Sequence, residues 1–223
     1  MKPGLGDAYD ERSGTFSILN QRNVSWVLRP PQGCGAEERL VLLVSSGPGQ
    51  FRNREDWRAR SGGRREVRTV FLVARPNPES EELQARLEEE HEKHGDILQP
   101  DLADGHRRLG YKILSGYVWS YLWCGEAARV AKTDDNVVLD LAGLVESSGE
   151  GVEKSVVCGS GTPHRNMKPL RSDRTHMTGN WSISRDQLHL DYHPDFCSGF
   201  LYVTSVQGKS LHVIQWRLTR NLF

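Results

Sequence analysis

Asp134-Asp135-Asn136, where the apolar run Ala127, Ala128, Val130 and Ala131 breaks off, is the stretch of this sequence best equipped for chemistry. Two adjacent carboxylates and an amide supply hard oxygen donors. Such donors hold a divalent cation, and the cation can hold a diphosphate. An apolar run ending in acids is also what a buried strand does when it delivers polar side chains to the rim of a sheet, and open α/β sheets bind ligands outside the carboxyl ends of their strands. Metal-dependent handling of a nucleotide sugar is the chemistry that fits. The plainer alternative is a helix start, with Asp135 or Asn136 capping the segment Val137 to Val145.

Other polar residues carry less. His164, His176, His189 and His193 show no zinc spacing and read as loop histidines. Cys34, Cys124, Cys158 and Cys197 are not spaced for zinc either; disulfides in a secretory lumen and free buried thiols both fit. Cys158 and Cys197 could bridge the last two strands, but spacing does not fix the pairing. Asn23-Val24-Ser25 and Asn180-Trp181-Ser182 are glycosylation sequons. Trp181 and Tyr192 offer aromatic faces suited to stacking on a pyranose or to packing under a loop. Asp191 and Asp195 read as loop acids.

The elements that must position these residues show in the periodicity. Leu40 to Val44 is a continuous apolar run ended by Ser45-Ser46-Gly47-Pro48-Gly49, a first central strand and its turn. A loop or short helix through Arg54, Trp57 and Arg58 follows. Glu66 to Ala74 reads as a second buried strand, stopped by Arg75-Pro76-Asn77-Pro78. Glu79 to His94 reads as a surface helix ended by Gly95, and Asp96-Ile97-Leu98 as a brief strand. Leu109 to Trp123 repeats its apolar residues at three and four, the pattern of a helix packed on a sheet. Ser155 to Cys158, Trp181 to Ser184 and Gly199 to Thr204 read as further strands. This is the grammar of an α/β fold, with a mostly parallel central sheet and helices on both faces. Residues 1–38, rich in Gly, Pro and polar side chains, are expected to be a flexible, stem-like lead-in to a domain at 39–223.

Basic and acidic residues balance at 29 each, which gives no reason to expect a nucleic-acid partner. No apolar run approaches the ~18 residues needed to cross a bilayer, and the first twenty residues lack a signal-peptide pattern. The sequence as given is therefore expected to carry no membrane anchor.

Several stretches, taken in order, resemble the β-1,3-galactosyltransferase family (glycosyltransferase family 31, Fringe-related hexosyltransferases). They are Val41 to Ser46 with Arg54 to Arg58, Val70-Phe71-Leu72-Val73, Glu90 through His94 to Leu98, Asp104 to Lys112, Lys132-Thr133-Asp134-Asp135, Trp181-Ser182-Ile183-Ser184, and Tyr192 to Gly199. The resemblance implies a GT-A-type nucleotide-diphospho-sugar transferase fold. It further implies a type II Golgi membrane enzyme that uses Mn²⁺ to move galactose, or in relatives N-acetylglucosamine, from a UDP-sugar to the 3-hydroxyl of a glycan acceptor with inversion. On this resemblance Arg54, Arg58, Asp104, Lys112 and Asp134 border the donor nucleotide, Asp135 and Asn136 hold the metal, and Trp181, Cys197, Ser198 and Gly199 lie on the acceptor side. Asn136 stands where the family has an acid, so weaker metal binding is expected, because an amide brings no charge. Family members continue into a Glu-Asp-Val segment carrying the expected base, whereas Val206 to Phe223 has no such motif. A domain incomplete at its C-terminus, with no nameable catalytic base, is therefore expected. The competing expectations are an inactive derivative that binds at most UDP or pairs with an active relative, and a sugar-binding domain with no nucleotide donor.

Overall fold

The computed structural model describes residues 9–10, 15–18, 22–124, 129–147, 156–171, 182–186 and 188–205. Among them nine strands form one sheet: β1 (Tyr9–Asp10), β2 (Thr15–Ile18), β3 (Arg22–Leu28), β4 (Leu40–Ser46), β5 (Val67–Val73), β6 (Ile97–Pro100), β7 (Arg129–Asp134), β8 (Val157–Cys158) and β9 (Leu201–Ser205). The helices are α1 (Phe51–Ser61), α2 (Glu81–His94), α3 (Leu109–Trp123) and α4 (Leu141–Ser147).

Every residue of β4 is buried, as befits a strand covered on both faces. Its side chains alternate between two cores. Val41 and Leu43, with Val70, Leu72 and Val130, meet Ile113, Tyr117 and Trp119 of α3. Leu40, Leu42 and Val44, with Phe71 and Ala131, meet Trp57 of α1, Leu87 of α2 and Leu141 and Leu144 of α4. Helices thus cover both faces, as expected. The helix α3 comes close to the sheet at Gly116, where a Cβ would lie 2.8 Å from Leu72. A capping serine and a left-handed glycine bound α2: Ser80 Oγ accepts from the Leu83 amide at 3.2 Å, and Gly95 ends the helix at φ 64°.

The sheet is mixed, which corrects the expectation of a mostly parallel one. Its order is β1-β2-β3-β6-β5-β4-β7-β9-β8, and parallel pairing is confined to β6-β5-β4-β7. The outer strands pair antiparallel on both sides. Apolar runs reveal a strand but not its direction. The helical crossovers make the centre parallel, while a three-residue connection turns β2 straight back into β3. Ser182–Ser184 lie in no strand.

The lead-in expected up to Glu38 contributes three strands, β1, β2 and β3, to the sheet. The pairing of β3 with β6 runs through Trp26↔Pro100 and Leu28↔Gln99, and Val24 is buried with Leu102, Leu114 and Val118. Cys34 is disulfide-bonded to Cys124 at the end of α3, and Trp26 meets Trp123 edge-on at 5.5 Å. The short alternation Val24, Trp26, Leu28 was masked by the Gly- and Pro-rich residues around it. Cys158 and Cys197 form the second disulfide.

Candidate active site

The carboxyl ends of β4 and β7 lie side by side, with Ser45 opposite Asp134, and the Asp135 amide donates to the Ser45 carbonyl at 3.1 Å. Strand register alone therefore puts both acids on the rim of the parallel core. They do not cap the next helix. Asp140 takes that role, its Oδ1 accepting from the amides of Ala142 at 3.1 Å and Gly143 at 3.2 Å. The expected helix from Val137 thus starts at Leu141, which leaves the Asp-Asp-Asn side chains for other contacts.

Asp135 is held from three directions. Its amide is bound as above, its carbonyl accepts from Trp57 Nε1 at 2.7 Å, and its Oδ2 accepts from Ser46 Oγ at 2.8 Å. Ser46 Oγ in turn accepts from Arg54 Nη1 at 3.0 Å, and the same nitrogen reaches the Gly47 carbonyl at 2.8 Å. Arg54, 0% exposed, also reaches the Pro48 carbonyl at 3.4 Å and pairs with Glu90 at 2.7 Å, both from Nη2. Arg58 pairs with Glu90 and Asp96, each at 2.7 Å. Burial alone would raise the Glu90 carboxyl; hydrogen bonds and charge from Arg54 and Arg58 outweigh it and hold the group below its usual value. Arg58 is likewise raised: burial opposes its charge, and Asp96 and Glu90 prevail. Arg54 therefore braces the turn after β4, and Arg58 holds the Glu90 carboxylate that Arg54 also binds.

Asp134 has a different neighbour. Lys132, 2% exposed, donates to Asp134 Oδ1 at 2.6 Å and also to the Gly199 carbonyl. Lys112, 6% exposed, donates to the Ser46 carbonyl at 3.1 Å and lies 3.6 Å from Asp104 Oδ1. Burial lowers the Lys112 ammonium, and the attraction of Asp104 only partly offsets this. Two buried ammonium groups thus flank the acids. Thr133 Oγ1 donates to the Phe200 carbonyl at 2.7 Å, so β7 also fixes the start of β9.

A family model described as galactosyltransferase matches residues 52–214. The chain belongs to the galactosyltransferase family. It is 28% identical over 218 residues to human lactosylceramide 1,3-N-acetyl-beta-D-glucosaminyltransferase, covering 90% of this chain and 56% of that protein. It is 30% identical over 171 residues to human beta-1,3-galactosyltransferase 5, covering 74% and 53%. Against human beta-1,3-galactosyltransferase 4 it is 37% identical over 121 residues, covering 51% and 32%. The chain spans about half the length of the first two of these relatives.

In this galactosyltransferase-family chain the structure brings together Asp104, Lys112, Asp134 and Asp135, and joins Gly199 to them through Lys132. Asn136 is exposed beside Asp135, and Cys197 and Ser198 lie half-buried just before Gly199. Arg54 and Arg58 stand behind the rim, and Trp181 lies outside the described residues. Among the described residues no group of three or more His, Cys, Asp or Glu side chains could hold a metal ion. The donor set on the rim is instead two carboxylates and an amide, with the Asp134 side chain 39% exposed. That set suits a dication shared with a phosphate ligand rather than one held by protein alone. The roles of Ser46 and Lys132 were not read from the sequence. A lysine inside the strand pattern Val130-Ala131-Lys132-Thr133 is the signal that could have found the second, since lysine is almost never fully buried unpaired.

Proposed function

We propose that this chain works as the donor-binding portion of an inverting β-1,3-hexosyltransferase, which moves a hexose, galactose in the first instance, from a UDP-sugar to a glycan acceptor. The observation that carries this reading is the pair Asp134-Asp135 on the rim of the parallel core, in a chain of this family, with buried Lys112 and Lys132 beside it. Asp104 and Lys112 border the nucleotide, and Asp134 accepts from its hydroxyls. Arg54 and Arg58 act indirectly, by shaping the turn that orients Ser46 and hence Asp135. When bound, Mn²⁺ held by Asp135 and Asn136 supplies positive charge for the leaving diphosphate. Cys197, Ser198 and Gly199 face the acceptor. The names of the relatives support β-1,3 transfer with either sugar, and one of them names a glycolipid acceptor. A type II Golgi setting follows the same resemblance, and the two disulfides agree with an oxidising lumen.

A second reading, UDP binding without transfer, has its own support. Asn136 brings no charge, and the acceptor-side acids Asp191 and Asp195 are exposed and paired with Arg185 and Arg165. Calorimetric titration of UDP with Mn²⁺ and with EDTA, on the chain and on Asn136→Asp, tests the donor site. The expected result is Mn²⁺-dependent binding that strengthens on the order of ten-fold in Asn136→Asp, for one added ligand charge. Equal binding in EDTA would overturn the metal assignment, and no binding by either protein would overturn the donor site. Galactose transfer to a glycan acceptor by the purified chain would exclude the second reading.

A further inference from the structure

Lys132 is buried in a strand, yet it has partners on two different parts of the molecule: Asp134 Oδ1 at 2.6 Å, and the carbonyl of Gly199, a residue 67 positions later in the chain. Burying an ammonium is costly unless it is paired and hydrogen-bonded. Anchoring the start of β9 does not by itself require it, because Thr133 already donates to the Phe200 carbonyl at 2.7 Å. The charge is thus needed where the two contacts meet. Cys197 is fixed to Cys158 by the disulfide, and Gly199 and Phe200 are fixed to β7, so Ser198 is suspended between two anchors. Only one of those anchors, Lys132, is shared with the acid rim.

We propose that Lys132 is a positioning residue that couples the two sides of the site, its single ammonium being divided between Asp134 and the Gly199 carbonyl. A ligand that engages Asp134 draws that carboxylate away from Lys132. The ammonium then turns more fully to Gly199, and the segment from Cys197 to Phe200 tightens. By linkage, a ligand that needs the tightened segment strengthens binding at the rim by the same factor. The words donor and acceptor for the two sides rest on the functional reading above; the division of the charge does not.

The test is hydrogen exchange at the Phe200 amide, which shares its peptide group with the Gly199 carbonyl, read by nuclear magnetic resonance on the full chain. Without ligand, Lys132→Met is expected to speed exchange at Phe200, whereas Asp134→Asn is expected to slow it, each about five-fold or more. A purely structural pair would loosen in both variants, so acceleration in both overturns the proposal. Lys132→Arg, which keeps the charge if Lys132→Met fails to fold, is expected to retain the wild-type rate; a rate shifted as in a charge loss overturns the proposal as well. With UDP and Mn²⁺ the wild-type rate is expected to fall further. Thr133→Val is expected to raise the rate yet keep that response, and loss of the response in Thr133→Val would overturn the assignment to Lys132. If calorimetry finds no UDP binding at all, the functional reading fails and the ligand-free rates still decide the coupling.

Discussion

The acid rim and the stretch from Cys158 to Gly199 are held by different means. On the rim, side chains from β4, α1, α3 and β7 converge: Ser46 and Trp57 on Asp135, Arg54 on Ser46, Lys112 on the Ser46 carbonyl, Lys132 on Asp134. The later stretch has little regular structure among its described residues. It is gathered by the Cys158–Cys197 disulfide, by the backbone bridge His164↔Phe196, and by Arg171, whose guanidinium donates to the carbonyls of Ile183, Ser184, Leu188 and Leu190. The rim is thus set by strand register, which resists change. The second region hangs from a few cross-links that tolerate rewriting between them, as suits a surface that distinguishes partners.

The comparison predicts separable failures. The largest is expected from Arg54→Leu, which leaves the half-buried Glu90 with one partner fewer and Ser46 unsupported. A loss of about 3–5 kcal/mol in denaturant unfolding is expected for such a broken buried pair. A loss below about 1 kcal/mol would show that Arg54 does not brace the rim. Next comes the double change Cys158→Ser with Cys197→Ser. Opening a cross-link that spans 39 residues should cost at most about 4 kcal/mol by chain entropy. UDP affinity should fall by no more than the roughly five-fold that coupling through Lys132 transmits, because the rim keeps its own side-chain contacts. A large loss of UDP affinity would join the two regions more tightly than their cross-links suggest. The smallest effect is that of pH. The folded-state carboxyl of Glu90 lies below its reference value of 4.5, so its pairing contributes stability above that pH and loses it as pH falls through the depressed value. Acid unfolding of the chain should therefore begin below about pH 4.5, and Glu90→Gln should flatten that limb of the stability curve. An unchanged limb would assign the acid sensitivity elsewhere.

How much of this was legible in the sequence varied with the physics behind each feature. The limits of α3, Leu109 and Trp123, follow from a three-and-four repeat of apolar residues, although the helix is buried all round from Lys112 to Ser120. Apolar runs, unbroken in Leu40 to Val44 and in Val70 to Val73, marked β4 and β5 within two residues of their ends, because both faces are covered there. Strand direction did not show, since pairing partners lie far apart in sequence. Nor did β3, whose four apolar residues are too few to outweigh the composition around them. At the site, Asp134 and Asp135 were found because acids after an apolar run break a pattern. Ser46 reads as an ordinary turn residue, and its part depends on Arg54, eight residues later, folding back over it. Arg54 and Arg58 were expected at the nucleotide; in the structure Arg54 bonds Ser46 and Glu90, and Arg58 pairs with Glu90 and Asp96. A sequence match gives the position of a residue but not the direction of its side chain.

The Cys34–Cys124 bridge has a mechanical consequence. It closes a loop around β4, α1, β5, α2, β6 and α3, which includes three of the four parallel strands. Tension pulling on the chain ahead of Cys34 passes through the sulfur–sulfur bond to Cys124 and on toward β7. The enclosed strands and helices lie off that covalent path, and tension reaches them only where β3 is paired with β6 and β7 with β4.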